Sequence, residues 1–214
     1  MSKKQFISFL SDSILAGLMI GVGGVVSLSS DNRYIGAVLF SLGLLTIIHF
    51  KFGLYTGKVG NIARNGVKFI PEVAVTLLGN GIGTFLAAVL IRLTRIAPPL
   101  VEKAQATVQT KTSDSIVSMF ILGIFCGMLM FIAVDGYRKC KENSDSTAGF
   151  MIVAFPVIVF IISGFNHCIA DMFYIFLAGE YTLAALGYFV TVVLGNAVGG
   201  MLIPTFKKVS ENKL

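Results

Sequence analysis

The residue best suited to chemistry in this chain is His167, which lies in the segment FNHCIAD, residues 165–171, between two apolar runs. If those runs cross a lipid bilayer, an ionisable side chain at that depth is costly and indicates a functional site. A helix break there would also point backbone N–H groups and a positive helix dipole into one cavity, which would attract an anion. The alternative is a neutral histidine that is hydrogen-bonded within the core.

A second candidate is Thr56 in the segment LYTG, residues 54–57, where a glycine permits a tight backbone. A threonine in a membrane helix often bonds only a preceding carbonyl group of its own helix, so Thr56 alone is weak evidence for a site. The hypothesis depends on its pairing with His167, which we expect to face it from the other half of the chain.

Lys111, in the segment QTKTSDS, is predicted to lie at the outer end of the fourth apolar run, just outside a helix. Such a lysine is either a solvated charge that sets topology or a charge that raises the anion concentration at a pore mouth. Periodicity alone does not place the other ionisable residues in or near apolar segments, which are His49, Lys51, Asp135 and Asp171.

His167 and Asp171 are four residues apart and would share a helix face, so a membrane-embedded enzyme with this acid–base pair is one alternative. No nucleophile, metal-ligand cluster or cofactor motif accompanies them, so we expect no enzyme, no cofactor and no metal. The cysteines, Cys126, Cys140 and Cys168, show no CxxC spacing and imply no disulfide framework.

The composition indicates the class of protein that holds these residues in position. Of 214 residues, 55% are apolar and 13% are charged, against roughly 25% charged in a soluble domain. The mean hydropathy of +0.84 and several long apolar runs indicate a polytopic, all-α membrane protein. The net charge of +6 comes from short basic clusters between apolar runs, which is typical of cytoplasmic loops and does not suggest nucleic acid.

The apolar runs predict six membrane spans and two helix breaks. The breaks fall in KFGLYTGKVGN, which begins at Lys51, and in FNHCIADMF, which begins at Phe165. Irregular backbone at membrane depth is tolerated only where protein buries it or where it lines a cavity, so both breaks are site candidates. The predicted spans are about 12–30, 34–50, 71–93, 115–134, 148–164 and 181–203.

The basic residues predict the orientation. With both termini in the cytoplasm, ten Lys and Arg residues lie inside and five lie outside, which agrees with the positive-inside rule. We therefore expect an inner (plasma) membrane protein with a retained first helix. The inside residues are Lys3, Lys4, Arg64, Lys68, Arg138, Lys139, Lys141, Lys207, Lys208 and Lys213, and the outside residues are Arg33, Arg92, Arg95, Lys103 and Lys111.

An internal repeat relates the two breaks. The pattern G-N-x-[IV]-G occurs at residues 79–83 and again at residues 195–199, 116 positions later. Three spans and a break, repeated, predict an inverted repeat of about 12–93 and 114–205 within one transmembrane domain, residues 1–214, with the site between the halves. The glycines of the pattern favour close helix packing, and we expect Asn80 and Asn196 to tie down the broken segments.

These motifs resemble the formate/nitrite transporter family. The resemblance rests on L-[FY]-T-[SG], on G-N-x-[IV]-G, on a lysine about twelve residues before G-I-x-[CA], on P-V-x-x-F-x-x-S-G-F-x-H-x-[IV]-A, and on a final G-N-x-[IV]-G-G. It implies an aquaporin-like bundle of six helices in which helices two and five are broken. It also implies a homopentamer with one pore per protomer that passes formate, nitrite, hydrosulfide or similar weak-acid anions.

The resemblance also assigns roles by position. It implies that His167 is the central pore histidine, Thr56 the first-break threonine, Lys111 the vestibule lysine and Asn196 the final-helix asparagine. Where the family commonly has Glu before the histidine and Asn four residues after it, this chain has Asn166 and Asp171, and Gly127 replaces a frequent Asn. The implied apolar constriction comprises Leu44, Leu54 and Phe160, with Phe40 one turn before Leu44.

We therefore expect a lipid-embedded channel or proton-linked transporter for a small monovalent anion. His167 would donate a hydrogen bond to the anion or protonate it, since histidine titrates near neutral pH. The apolar constriction would hinder a bare ion, because moving charge into a medium of low dielectric constant is expensive. A non-conducting membrane assembly subunit is the other alternative.

Overall fold

The computed structural model describes residues 3–211, with side chains from residue 4 onward, and this part of the chain consists of helices and their connections. Lys213 and the side chain of Lys3, both used in the charge count, lie outside the described residues. The helices are α1 Lys3–Ser29, α2 Arg33–His49, α3 Tyr55–Lys58, α4 Asn61–Asn65, a 3₁₀ helix Val67–Phe69, α5 Ile70–Arg92, α6 Ala97–Thr112, α7 Ile116–Glu142, α8 Ser146–Ser163, α9 Cys168–Ala178 and α10 Leu183–Glu211.

Five helical stretches are long and apolar enough to cross a membrane, judged by length and composition. This confirms the prediction of an all-helical, multi-pass membrane protein. Helix α2 lies where the second span was predicted, but its 17 residues are fewer than the roughly 20 that a bilayer core needs. The five stretches are Lys4–Ser29, Val67–Arg92, Ile116–Glu142, Ser146–Ser163 and Leu183–Glu211.

The chain leaves the helical conformation at both positions where the sequence predicts a break. Helix α2 ends before Lys51, which has φ 60°, and α8 ends before Gly164, which has φ 73°. One residue later, Phe52 N donates to Ile47 O and Phe165 N donates to Phe160 O, each at 2.9 Å. A left-handed residue followed by this backward hydrogen bond is a common way to end a helix. The chain then runs extended into α3 and α9.

Glycines bring the long helices into close contact, as their spacing predicts. A Cβ atom on Gly17 of α1 would lie 2.9 Å from the Cα atom of Gly83 on α5, and one on Gly123 of α7 would lie 3.2 Å from the Cα atom of Gly195 on α10. The first of these contacts leaves no room for a side chain. Gly79 packs on Ser13 in the same manner.

Helix α6 was not predicted, and it corrects the position of Lys111. Pro98 and Pro99 stand in its first turn, where a missing N–H costs nothing. It buries Ala97, Leu100, Ala104 and Val108, whose three- and four-residue spacing defines one apolar face. Lys111 therefore lies in the last turn of this separate helix and not, as predicted, just outside a helix.

Three basic residues counted as outer topology charges bind carbonyl groups near helix ends. Arg33 Nη2 donates to Ile161 O at 2.9 Å near the end of α8, and Arg92 Nη1 donates to Leu177 O near the end of α9. Lys103 Nζ donates to Leu28 O at 2.9 Å near the end of α1. A cation is favourable there because the terminal carbonyl groups lack helical partners and carry partial negative charge.

Candidate functional site

The two predicted central residues meet between the breaks. Thr56 Oγ1 lies 3.0 Å from His167 Nε2, although the residues are 111 positions apart in the chain. Thr56 stands in the first turn of α3 and His167 directly precedes α9, so each break contributes one side chain. Both residues are 1% exposed. The pair therefore lies inside the bundle.

The second nitrogen of the histidine ring determines what the pair can do. His167 is the N-cap of α9, and its Nδ1 accepts a hydrogen bond from Ala170 N at 3.2 Å. A nitrogen that accepts carries no hydrogen, so the neutral ring carries its hydrogen on Nε2. His167 therefore donates its Nε2–H to the hydroxyl oxygen of Thr56, whose own hydrogen is left for another acceptor.

Aromatic and apolar side chains surround this pair. The ring of Phe160 stacks on the His167 ring with centroids 5.5 Å apart, and the Phe40 ring meets Phe160 edge-on at 5.8 Å. Leu44 and Leu54 are buried in the same core, and Leu54 is the N-cap of α3. The predicted constriction residues are thus buried, and two of them form a chain of ring contacts that ends at His167.

The first break is held in place by Asn80, as predicted. Asn80 Oδ1 accepts a hydrogen bond from Tyr55 N at 2.8 Å, while its Nδ2 donates to Gly53 O at 2.7 Å and to Ser13 O at 2.8 Å. Tyr55 N and Gly53 O lie at the break and have no partner within a helix there, whereas Ser13 O belongs to α1. The amide of Asn80 satisfies the two groups of the break and joins the break to α1.

The second break is held by Asn196 through the same pattern. Asn196 Oδ1 accepts from Cys168 N at 2.9 Å, and its Nδ2 donates to Asn166 O and Gly123 O, each at 2.8 Å. In both breaks the asparagine thus bonds the first residue of the new helix and the residue two positions earlier. Because the amide of Asn196 forms its hydrogen bonds with backbone groups, this side chain holds the break in place.

Lys111 is partly exposed, and it contacts a cluster of buried side chains next to His167 in the chain. Its Nζ donates to Asn166 Oδ1 at 2.8 Å and forms an ion pair with Asp171 Oδ1 at 3.0 Å. Tyr188 OH donates to Asp171 Oδ2 at 2.6 Å. We call these four residues the lysine cluster. Lys111 and the altered positions 166 and 171 were recognisable from the sequence, but their contact and the part played by Tyr188 were not predicted.

A cavity of about 320 Å³ lies next to the first break. Leu54 and Gly57 contribute to its wall near Thr56, and apolar residues of α2 and α7 form much of the rest. Its charged lining residues are Lys51, Lys58, Arg64, Asp135, Arg138 and Lys141. Cations outnumber carboxylates there.

Asp135 and His49, which the periodicity of the sequence did not place, have defined positions in the structure. Asp135 lines this cavity, and His49 does not. Asp135 Oδ1 accepts a hydrogen bond from Arg64 Nη1 at 2.7 Å, and it also pairs with Arg138. This ion-pair cluster joins α4, which follows the first break, to α7. His49 is exposed and stacks edge-on against Phe50, with ring centroids 5.0 Å apart. It therefore lies away from the Thr56–His167 pair.

The described residues contain no group of three or more His, Cys, Asp or Glu side chains arranged to hold a metal ion. All three cysteines are free, and Cys126 and Cys168 are buried.

Comparison with known proteins agrees with the motifs. A family model described as formate/nitrite transporter matches residues 1–208. The chain is 28% identical over 196 residues to the formate channel FocA of Haemophilus influenzae, covering 81% of this chain and 67% of that protein. It is 24% identical over 228 residues to the nitrite transporter NirC of Salmonella typhimurium, covering 94% and 82%. A solved pentameric formate channel with formate bound superposes with a TM-score of 0.81 at 22% identity, covering all of both chains.

Proposed function

Because the chain belongs to the formate/nitrite transporter family, whose model matches residues 1–208, we propose that it is a pentameric channel or proton-linked carrier for a small monovalent anion. The family is one of transporters, which confirms the prediction of a transport protein and not an enzyme. Formate and nitrite are the leading substrates because relatives are named for them. The observation that carries the proposal is the buried Thr56–His167 hydrogen bond between the two breaks.

The proposed architecture is an aquaporin-like bundle of six spans in two inverted halves, about 12–93 and 114–205, within one domain. It is supported by the equivalent bonds of Asn80 and Asn196, which hold backbone groups at the same positions relative to each break. In this proposal α2 with α3, and α8 with α9, are the broken spans. Their breaks meet near the membrane midplane, which is where permeation proteins of this plan bind their substrates.

The proposed location is the inner membrane, with both termini in the cytoplasm. The excess of Lys and Arg in the segments assigned to the inside supports this orientation. Exposed apolar side chains on the long helices would contact lipid or a neighbouring protomer. A homopentamer is consistent with the solved formate channel that the chain resembles, which is itself pentameric.

An anion on this pathway would compete for the hydrogen bond between Thr56 and His167. Neutral His167 would give its Nε2–H to the anion, and the Thr56 hydroxyl could donate a second hydrogen bond. These donors would offset part of the cost of removing the anion from water, while Leu44, Leu54, Phe40 and Phe160 exclude larger or better hydrated ions. Asn196 contributes by fixing the backbone that positions His167.

The geometry favours hydrogen-bond donation over proton donation by His167. To act as an acid, the ring would first take a second proton on Nδ1. That nitrogen faces Ala170 N–H at 3.2 Å, so protonation would break the N-cap hydrogen bond and set two N–H groups against each other. Protons that accompany the anion would therefore come from water or from the weak acid itself.

The test is anion flux into proteoliposomes that contain the purified protein. Formate, nitrite, hydrosulfide and lactate should be compared across about pH 5 to 8, where histidine ordinarily titrates. We expect flux of at least one anion, and a fall of about tenfold or more in His167→Phe, because a hydrogen bond to a charged group is lost. His49→Phe is the matched control, since His49 is exposed and lies elsewhere.

Two results would contradict the proposal. If the assembled wild-type protein carries none of these anions, the chain is a non-conducting assembly subunit. If assembled His167→Phe keeps wild-type flux at every pH, then His167 is a packing residue and the Thr56–His167 pair is not the site.

A further inference from the structure

The lysine cluster changes what Lys111 can do for an anion. One of the two roles predicted for Lys111 was to raise the local anion concentration, which requires an uncompensated positive charge. In the structure its ammonium group lies 3.0 Å from the carboxylate of Asp171. Two opposite unit charges at this separation form a dipole whose field falls off faster with distance than that of a single charge. This end of the site therefore presents little net charge.

The carboxylate of Asp171 is fixed in position beside Lys111. The residue is 2% exposed, and each carboxylate oxygen has its own partner, since Oδ1 faces Lys111 and Oδ2 accepts from Tyr188. Asp171 also lies in the first turn of α9, where the partial positive charge of the helix favours a carboxylate. These contacts come from α6, α9 and α10, so three helices fix the ion pair.

The cluster is joined to the central histidine through the chain. Asn166, which accepts a hydrogen bond from Lys111, directly precedes His167, and Asp171 N donates to His167 O at 2.9 Å. The ammonium group of Lys111 is therefore next to the proposed pathway. The extent to which Asp171 neutralises its charge determines the electrostatic potential that an approaching anion meets.

We propose that Asp171, aimed by Tyr188, is a specificity-determining residue that compensates Lys111 and limits how strongly this end of the pathway attracts anions. The inference rests on the proposed anion transport through the Thr56–His167 pair. It assigns to Asp171 an effect opposite in sign to that of His167, since removing its charge should strengthen anion capture.

The direct test is Asp171→Asn, which keeps the shape of the side chain and a hydrogen-bond acceptor for Tyr188. In proteoliposomes at low ionic strength, the half-saturating formate concentration should fall by about threefold to tenfold, as expected for one unpaired charge a few ångströms from the path. The difference should shrink with added salt, because mobile ions screen the charge. A merely structural role predicts weaker transport and no gain in affinity.

Asn166→Asp tests the same idea from the other side of Lys111. It adds a second carboxylate on the partner that already accepts from Lys111 at 2.8 Å, so the half-saturating concentration should rise. The double variant Asn166→Asp/Asp171→Asn moves the single carboxylate from one partner to the other and should return close to the wild-type value. Either single variant is informative if the other fails to assemble.

The matched control is Asp31→Asn. Asp31 is fully exposed and pairs at 3.5 Å with Lys103, which lies on α6 as Lys111 does. This variant therefore also removes the carboxylate partner of an α6 lysine, but away from the proposed pathway. Its half-saturating concentration should stay at the wild-type value. If Asp171→Asn and Asn166→Asp behave like this control while the wild-type protein transports formate, the inference is wrong and the proposed function stands. Absence of wild-type transport would instead contradict the proposed function.

Discussion

The two helix breaks can be compared residue by residue, because each position in the first corresponds to the position 113 residues later in the second. Lys51 and Gly164 both adopt the left-handed conformation that ends the preceding helix. Tyr55 N and Cys168 N both donate to the amide oxygen of an asparagine from a long helix. The backbone frame is thus the same in both halves.

The side chains within this frame differ. The N-cap is Leu54 in the first break and His167 in the second. Lys58 pairs with the acid Glu72 at 2.9 Å, whereas its counterpart Asp171 pairs with the base Lys111, so the sign of the charge is reversed. Equivalent positions therefore form the backbone frame of both breaks, and the positions where the breaks differ include the proposed site residue His167.

The largest effect should come from breaking the shared frame. Asn196→Leu would leave Cys168 N and Asn166 O without their partner inside the bundle, at about 1–3 kcal/mol for each stranded group. We expect loss of the assembled protein, measured by size-exclusion chromatography and thermal melting in detergent. Asn80→Leu should do the same if the frames are equivalent, whereas the exposed Asn65→Leu should assemble normally.

Much of this frame could be predicted from the sequence. Glycine, lysine and polar residues inside apolar runs located both breaks, and the repeated G-N-x-[IV]-G pattern indicated that Asn80 and Asn196 serve them. The reason is physical: lipid cannot satisfy freed backbone groups, so a buried amide near a break has one obvious use.

The partners of the charged residues could not be predicted in this way. Whether Lys111 faces solvent or Asp171 depends on how α6 packs, and α6 is too polar to be recognised as a span. Its apolar spacing of Ala97, Leu100, Ala104 and Val108 was the available evidence for a helix. The role of Arg33 and Arg92 at helix ends depends likewise on contacts between distant segments.

The next effect concerns Leu54, the apolar residue that the first break has at the position of His167. Leu54→Ala should widen the path next to the cavity and raise the permeability to a small neutral solute such as urea by several-fold, because a buried side chain is removed. The exposed Leu42→Ala should have no such effect. Unchanged selectivity in assembled Leu54→Ala would remove this residue from the constriction.

Phe160→Ala tests the apolar residue that contacts the histidine. Its ring stacks on His167 and meets Phe40, so its loss should both relax selectivity and lower the melting temperature. Phe155→Ala on the same helix is the control, since Phe155 is 54% exposed. Lower stability with wild-type selectivity would assign Phe160 to packing alone.

A smaller effect is expected for Thr56→Val, which keeps the shape of the side chain and removes the hydroxyl. The variant removes one of the two proposed donors to the anion, but it also frees the His167 Nε2–H that Thr56 engages, so we expect a net loss of about 1 kcal/mol, or about fivefold in flux, less than for His167→Phe. Thr107→Val is the control, because its hydroxyl bonds only within α6. A loss as large as that of His167→Phe would mean that Thr56, and not the histidine, is the principal anion ligand.

The smallest effect concerns Lys51, which adopts the left-handed conformation in the first break at the position where the second break has a glycine. Lys51 has φ 60°, a conformation that glycine adopts freely and that costs other residues about 1 kcal/mol, and its counterpart Gly164 has φ 73°. Lys51→Gly should therefore raise the melting temperature by about 2 °C. Lys51→Gln separates conformation from charge, since it removes the charge and keeps the strained backbone, so it should give no increase. Gly164→Ala should lower the melting temperature, because it introduces the same strain into the second break. If Lys51→Gly melts no higher than Lys51→Gln, the left-handed turn at the first break is not strained, and the two frames differ in energy as well as in side chains.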